Sequence, residues 1–195
     1  WVLAAFGKGP FVRFDDTFDR DETLRTVGVV IEEREDLQLL PAFEHAWEIA
    51  IDDIGTGDMS TEAEVIQQIA SLSGFNADEI KVVEDTEAFR VWYGEELIAN
   101  WESRAACIAD LAAADILPEY DSWWQERPLA MQAELLGALR LFLDRCPVCH
   151  GAVTLSLEVV SSCCSDYNVV ATTCDGCNAR LFEAEFGDGF TGEES

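Results

Sequence analysis

Cys146-Pro147-Val148-Cys149 and Cys174-Asp175-Gly176-Cys177 constrain this chain more than any other stretch. Two C-x-x-C turns separated by a strand-like segment are the sequence form of a four-thiolate zinc site. Each turn can set two sulfurs at adjacent corners of a tetrahedron, ~2.3 Å from the metal. Pro147 fixes φ at the start of the first turn, and Gly176 is expected to supply a positive φ in the second. Backbone N–H groups in such turns donate to the thiolates and temper the formal double negative charge of Zn(Cys)4. The predicted ligands are Cys146, Cys149, Cys174 and Cys177, and the predicted cofactor is a structural Zn2+. Iron also fits four sulfurs, but the wide loop and polar turns favour zinc.

Between the pairs, Val153, Leu155, Leu157 and Val159 alternate with Thr154, Ser156 and Glu158, the period of a half-buried strand. Val169–Thr173 reads as the returning strand and Arg180–Phe186 as a third. About forty residues cannot bury enough apolar area to fold alone, and a metal makes up the shortfall. So read, Cys146–Phe186 resembles a zinc ribbon of the rubredoxin-like kind: knuckle, hairpin, knuckle, final strand. The resemblance implies a fold and a metal but no activity, because such ribbons are structural modules in transcription, translation and enzyme complexes alike. The whole chain is also similar to uncharacterised halophilic archaeal proteins ending in such a ribbon, a likeness that assigns no catalytic residue.

Four cysteines complete a tetrahedral shell, so His150 reads as a neighbour of the site or a surface residue. A full shell also argues against a zinc hydrolase, which keeps a position open. Cys163 and Cys164 fall near the predicted hairpin tip, more than ~20 Å from the metal at ~3.3 Å per strand residue. They read as free thiols, the alternatives being a redox-sensitive vicinal pair or a second metal contact. A thioredoxin-like role fits neither C-x-x-C, because neither opens a helix after a strand.

Composition sets the solvent and partner classes. Asp and Glu number 39 against 12 Lys and Arg, a net charge of −27. The acids are spread over every segment, and the apolar content of 49% argues against disorder. Adaptation to high salt accounts for both, since at molar ionic strength the Debye length falls to ~3 Å and self-repulsion is screened. From Cys146 onward one cation, Arg180, faces eight acids, so the phosphate contacts that drive nucleic-acid binding have little to work with. Six of the seven cysteines lie in the last fifty residues with metal spacing, which fits a reducing, cytoplasmic setting. Trp1-Val2-Leu3-Ala4-Ala5-Phe6 reads as a first strand; the alternative is the end of a transmembrane helix tethering the chain, with Lys8 and Arg13 on its cytoplasmic side.

The remaining chain reads as mixed helix and strand. Phe11–Phe14 is a short strand, Asp15–Glu22 a solvated acidic loop, and Thr26–Glu32 a strand. Pro41 opens a helix whose stripe is Phe43, Ala46, Trp47, Ala50 and Ile54. His45, Glu48 and Asp52 lie off that stripe as a solvated face. Thr61 and Glu64 form a capping box for a helix through Leu72 that stops at Gly74. Ile80–Glu84, Ala88–Tyr93 and Leu97–Trp101 are strands, the last two joined as a hairpin by Gly94-Glu95. Trp92, Tyr93 and Trp101 read as cross-strand packing in preference to a ligand platform. Ser103–Leu117 is an Ala-rich helix holding Cys107 in the core. Ser122 and Gln125 form a capping box before Trp123-Trp124, and Pro128 starts a helix that buries Leu135, Leu136, Leu139, Phe142 and Leu143.

The predicted fold is α+β: a tail or membrane-proximal stub over 1–10, a mixed domain over 11–145, a three-stranded ribbon over 146–187 docked on it, and a disordered acidic tail over 188–195. No G-x-S-x-G, H-E-x-x-H or P-loop is present, and no carboxylate pair stands out, so no catalytic residue is assigned. The expected function is a non-enzymatic adaptor with a protein partner; the alternative is a nucleic-acid-associated, transcription-type regulator.

Overall fold

A computed structural model describes residues 20–33, 36–55, 62–85, 88–161 and 166–186. Phe11–Phe14, Thr61, Cys163, Cys164 and both termini lie outside these residues, and with them the expectations placed there.

The fold is mixed α+β, with three small antiparallel sheets among the described residues. Helix α1 (Arg20–Val27) replaces the strand expected from Thr26. Gly28, at φ 81, donates to the Arg25 carbonyl, and Val29 donates to that of Leu24. This paired termination holds the chain helical through Val27 despite its β-branched run. The strand begins only at Val30: β1 (Val30–Glu33) pairs with β2 (Asp36–Leu39), a strand the sequence pattern did not reveal.

Helix α2 (Pro41–Gly55) starts at its proline and buries Phe43, Trp47, Ile51 and Ile54, while His45, Glu48 and Asp52 face solvent. Helix α3 (Glu62–Ser73) ends at Gly74, φ 72. Strands β3 (Ile80–Glu84), β4 (Phe89–Tyr93) and β5 (Glu96–Trp101) form a meander, with Gly94 at φ 59 in the β4–β5 turn. The three aromatics separate. Trp101 is buried, Tyr93 stacks on Phe75 at 4.3 Å, and Trp92 is left on the half-exposed outer face.

Helix α4 (Arg104–Ile116) is the axis of the molecule. Every residue from Ala105 to Ala114 is buried, so the helix is covered on all sides. Six alanines let its neighbours approach closely. The Trp47 indole of α2 comes near enough to donate to the Ala109 carbonyl at 3.0 Å. The turn before the next helix is organised by Asp121, not Ser122: its carboxylate accepts from the Trp123 N–H at 3.0 Å and pairs with Arg127. Helix α5 (Leu129–Leu139) follows Pro128 and buries Leu135, Leu136 and Leu139; Phe142 and Leu143, beyond its end, are partly buried. The C-terminal sheet is β6 (Val153–Ser161), β7 (Asp166–Cys174) and β8 (Arg180–Phe186), in that order.

Candidate metal centre and its docking to the core

The two cysteine turns are built alike. In the first, Cys146 N–H donates to Gly151 C=O at 2.9 Å and His150 N–H to Cys146 C=O at 2.9 Å. In the second, Cys174 N–H donates to Ala179 C=O at 3.0 Å and Asn178 N–H to Cys174 C=O at 3.0 Å. The equivalent residues His150 (φ 56) and Asn178 (φ 58) carry the left-handed backbone of each turn. Histidine and asparagine are among the side chains that tolerate this region best. Gly176 was expected to fill that role and does not; its backbone is not left-handed.

What Gly176 provides is closeness. A Cβ on it would lie 3.3 Å from Cys149 Sγ, and one on Gly151 would lie 3.0 Å from Cys174 Sγ and 3.2 Å from the Gly176 backbone. The two glycines let one knuckle pack on the other, a need that spacing alone does not announce.

As a result, the Sγ atoms of Cys146, Cys149, Cys174 and Cys177 lie within 4.8 Å of one another. Cys146 and Cys177 are 3.7 Å apart, and Cys149 and Cys174 are 3.3 Å apart. A tetrahedron with metal–sulfur arms of ~2.3 Å has edges of about 3.8 Å, so four thiolates can close on one ion with small adjustments. Four soft sulfurs suit a tetrahedral metal. Among the described residues this is the group suited to hold an ion, and His150 is not part of it.

Cys146 and Cys174 are buried, and Cys149 and Cys177 are exposed. Burial pushes the Cys146 thiol up, and partial desolvation beside the Cys149 and Cys174 sulfurs raises that of Cys177. Burial also works against Cys174, but donors from the Cys177 and Gly176 backbone and the Cys149 thiol outweigh it, bringing Cys174 down to about 7. The Gly176 N–H reaches its sulfur at 3.3 Å. Such donors stabilise a thiolate in the way a metal-binding knuckle requires. Cys107 is different: it is fully buried in α4, and burial drives its thiol well above the ordinary range, as befits an inert core residue.

The sulfur cluster rests directly on α4. Cys146, Cys174 and Leu181 form one buried group with Ala105, from the first turn of that helix. Ser103 serves both sides of the seam: its oxygen accepts from the Ala106 N–H at 3.2 Å, capping α4, and its hydroxyl donates to the Arg180 carbonyl of β8 at 2.6 Å.

A buried charge cluster lies beside it. Arg140, just past α5, donates to the Leu181 carbonyl at 2.6 Å and to Glu102 at 2.7 Å. Its Nε sits 3.1 Å from Asp110 Oδ1, off the line of a hydrogen bond, so charge holds that contact. Trp101 Nε1–H donates to the other Asp110 oxygen at 2.9 Å. Burial pushes the Asp110 carboxyl up to about 6, although Arg140 and Trp101 pull the other way. A side chain from the helical region thus grips the backbone of the ribbon. The sequence reading missed this arrangement; the available signal was an acid, Asp110, set alone among the apolar residues from Ala105 to Ala114.

At the far end of the seam, Arg180 makes a two-pronged pair with Glu158 at 2.9 and 2.8 Å. Its hydrogen bonds hold the Glu158 carboxyl down at about 2. A cleft of about 920 Å³ runs between the second knuckle and the β3–β5 sheet, with Cys177 and Asn178 on one wall and Glu84, Glu102 and Arg104 on the other.

No helix among the described residues is long and apolar enough to cross a membrane. No curated protein and no solved structure matches the chain. Two family models do. Residues 19–141 match the central domain, and residues 144–184 the C-terminal domain, of a family of unknown function (DUF8054). Together these matches span most of the sequence, so the chain belongs to that family.

Proposed function

We propose that this protein is a non-enzymatic adaptor, stabilised by a structural zinc ion and adapted to the salt-rich cytoplasm of a halophile. The observation that carries the reading is the meeting of four cysteine sulfurs within 4.8 Å on the surface of α4. Zinc is the metal of choice for a closed tetrahedral sulfur site, and such sites contribute folding free energy instead of chemistry. A partner, in this reading, docks on a ribbon whose orientation the metal and Arg140 fix together. The acidic surface, at −27, suits a solvent in which charge repulsion is screened.

Elemental analysis of the purified chain tests the reading: one zinc per chain is expected, and no bound metal, or iron in its place, contradicts it. The halophile component has a separate test, circular dichroism from molar KCl down to millimolar, where loss of structure is expected. An unchanged spectrum and melting temperature would remove that component.

The second reading, nucleic-acid association, has one observation in its favour. Lys81, Arg90 and the half-exposed Trp92 line a shallow concavity on the outer face of the β3–β5 sheet. Aromatic and cationic side chains on an open sheet suit single-stranded bases. Arg90 already pairs with Asp85, which weakens the case. A gel-shift series across salt concentrations decides it, with retardation by single strands expected on this reading and none on the adaptor reading.

A further inference from the structure

We infer that two copies of this chain associate through the free edge of β6, joining their ribbons into one continuous sheet across a two-fold axis.

Among the described residues, Arg145 bridges Ala152 at the start of the outer edge of β6, and beyond Val153 no strand pairs with that edge. β6 is an outer strand of its sheet and pairs with β7 from Val153 to Ser161 without a register break. The Val153 N–H donates to the Asp144 carbonyl, away from β7. The alternation of a strand then turns the N–H and C=O groups of Leu155 and Leu157 to that same outer side. Sheet edges are ordinarily protected by lysine, proline or a bulge. Val153–Leu157 contains no charge and no proline, and its pairing shows no bulge. Leu155 and Leu157 are 64% and 72% exposed, two leucines in a row on one face.

The edge is also self-complementary, which selects a second copy as its occupant. In an antiparallel pair centred on Ser156, Leu155 of one copy faces Leu157 of the other, and the reverse. These are the positions whose outward N–H and C=O groups can exchange hydrogen bonds. Ser156 faces itself, and Thr154 faces Glu158 of the second copy. No like charges oppose one another, and Glu158 is already held by Arg180 of its own chain. The same patch meets itself, as a two-fold interface requires. Two chains of −27 each must approach where repulsion is least, and this uncharged run supplies that place.

The association depends on the ribbon being folded around its metal, so metal content is measured on the same samples. Light scattering of the full chain in molar KCl, over a range of concentrations, should show the mass rising from 21.6 kDa toward twice that value. Leu155→Lys with Leu157→Lys should hold it at one chain without altering metal content or circular dichroism. The register gives a positive test as well. Opposed residues of a non-hydrogen-bonded pair have Cα atoms about 4.5 Å apart, within disulfide reach. Ser156→Cys should therefore form a covalent dimer under mild oxidation above the background of the unsubstituted chain, and Thr154→Cys should not. A single-chain mass at every concentration, with metal bound, would overturn this inference alone; without metal, it would overturn the zinc reading too. A dimer that survives the double lysine substitution and ignores Ser156→Cys would place the interface elsewhere.

Discussion

The central region and the ribbon solve the same problem with different means. Around α4, thirty buried apolar side chains among the described residues form one cluster. The ribbon's buried group at the seam comprises Cys146, Cys174 and Leu181, together with Ala105 lent by α4. The first region is held by apolar burial. The second substitutes a sulfur cluster, two close-packed glycines and a buried arginine for a core it is too small to make. Its β6–β7 pairing runs without a break, yet the exposed leucines of β6 show how little of that sheet is covered.

Metal removal should separate the two regions most sharply. A structural zinc contributes about 10–16 kcal/mol to a small domain that folds on binding it. Chelation, or Cys174→Ser, should therefore unfold the ribbon and open it to protease while α4 stays protected from hydrogen exchange. Loss of protection in α4 at the same chelator concentration would show that the regions are a single cooperative unit.

Arg140→Ala attacks the seam. Removing one partner of a buried ion pair costs about 3–5 kcal/mol, because the abandoned charges stay buried. Asp110 and Glu102 are the carboxylates left behind. The denaturation midpoint should fall and ribbon protection should drop, and a change in neither would remove Arg140 from the account.

Gly151→Ala tests the knuckle packing, since its Cβ would meet Cys174 Sγ at 3.0 Å. Metal affinity, read by competition with a chelator, should weaken by about tenfold or more, the scale on which disturbed surroundings affect a metal site. Affinity equal to the parent's would mean that the knuckles can separate freely.

The smallest effects concern pH, and the regions should differ in sign. Asp110 titrates near 6 in the fold against 3.8 ordinarily, so its contribution to stability is full below 3.8 and is lost as pH rises through 6. Glu158 titrates near 2 against 4.5, so its contribution is present above 4.5 and lost as pH falls toward 2. Carboxyl carbon shifts in a nuclear magnetic resonance titration should show these two midpoints on opposite sides of the ordinary range. Glu158→Gln should cost about 0.2–1 kcal/mol near neutral pH, the range for partly exposed pairs, and the cost should vanish as pH falls through the folded midpoint.

Much of this architecture is written locally. The paired cysteine spacing, the alternation along β6, Pro41 at the start of α2 and Gly94 in its turn each act within a few residues, so pattern reading finds them. Gly28 shows the limit of that reading. The valines around it suggest a strand, but the bonds that close α1 depend on which carbonyls lie within reach. The seam is harder still. Arg140, Glu102 and Leu181 are separated by 38 and 41 residues, and nothing in the spacing of charges in so acidic a chain marks these as partners. Gly176 was legible as a necessary glycine for a reason that proved wrong: it makes room for a neighbouring sulfur, and the left-handed turn falls to His150 and Asn178.

The most direct test of the central claim is X-ray absorption at the zinc edge on the purified full chain. A closed scaffold site predicts four sulfur neighbours at ~2.3 Å and no lighter ligand. A nitrogen or oxygen in the first coordination sphere would contradict that claim.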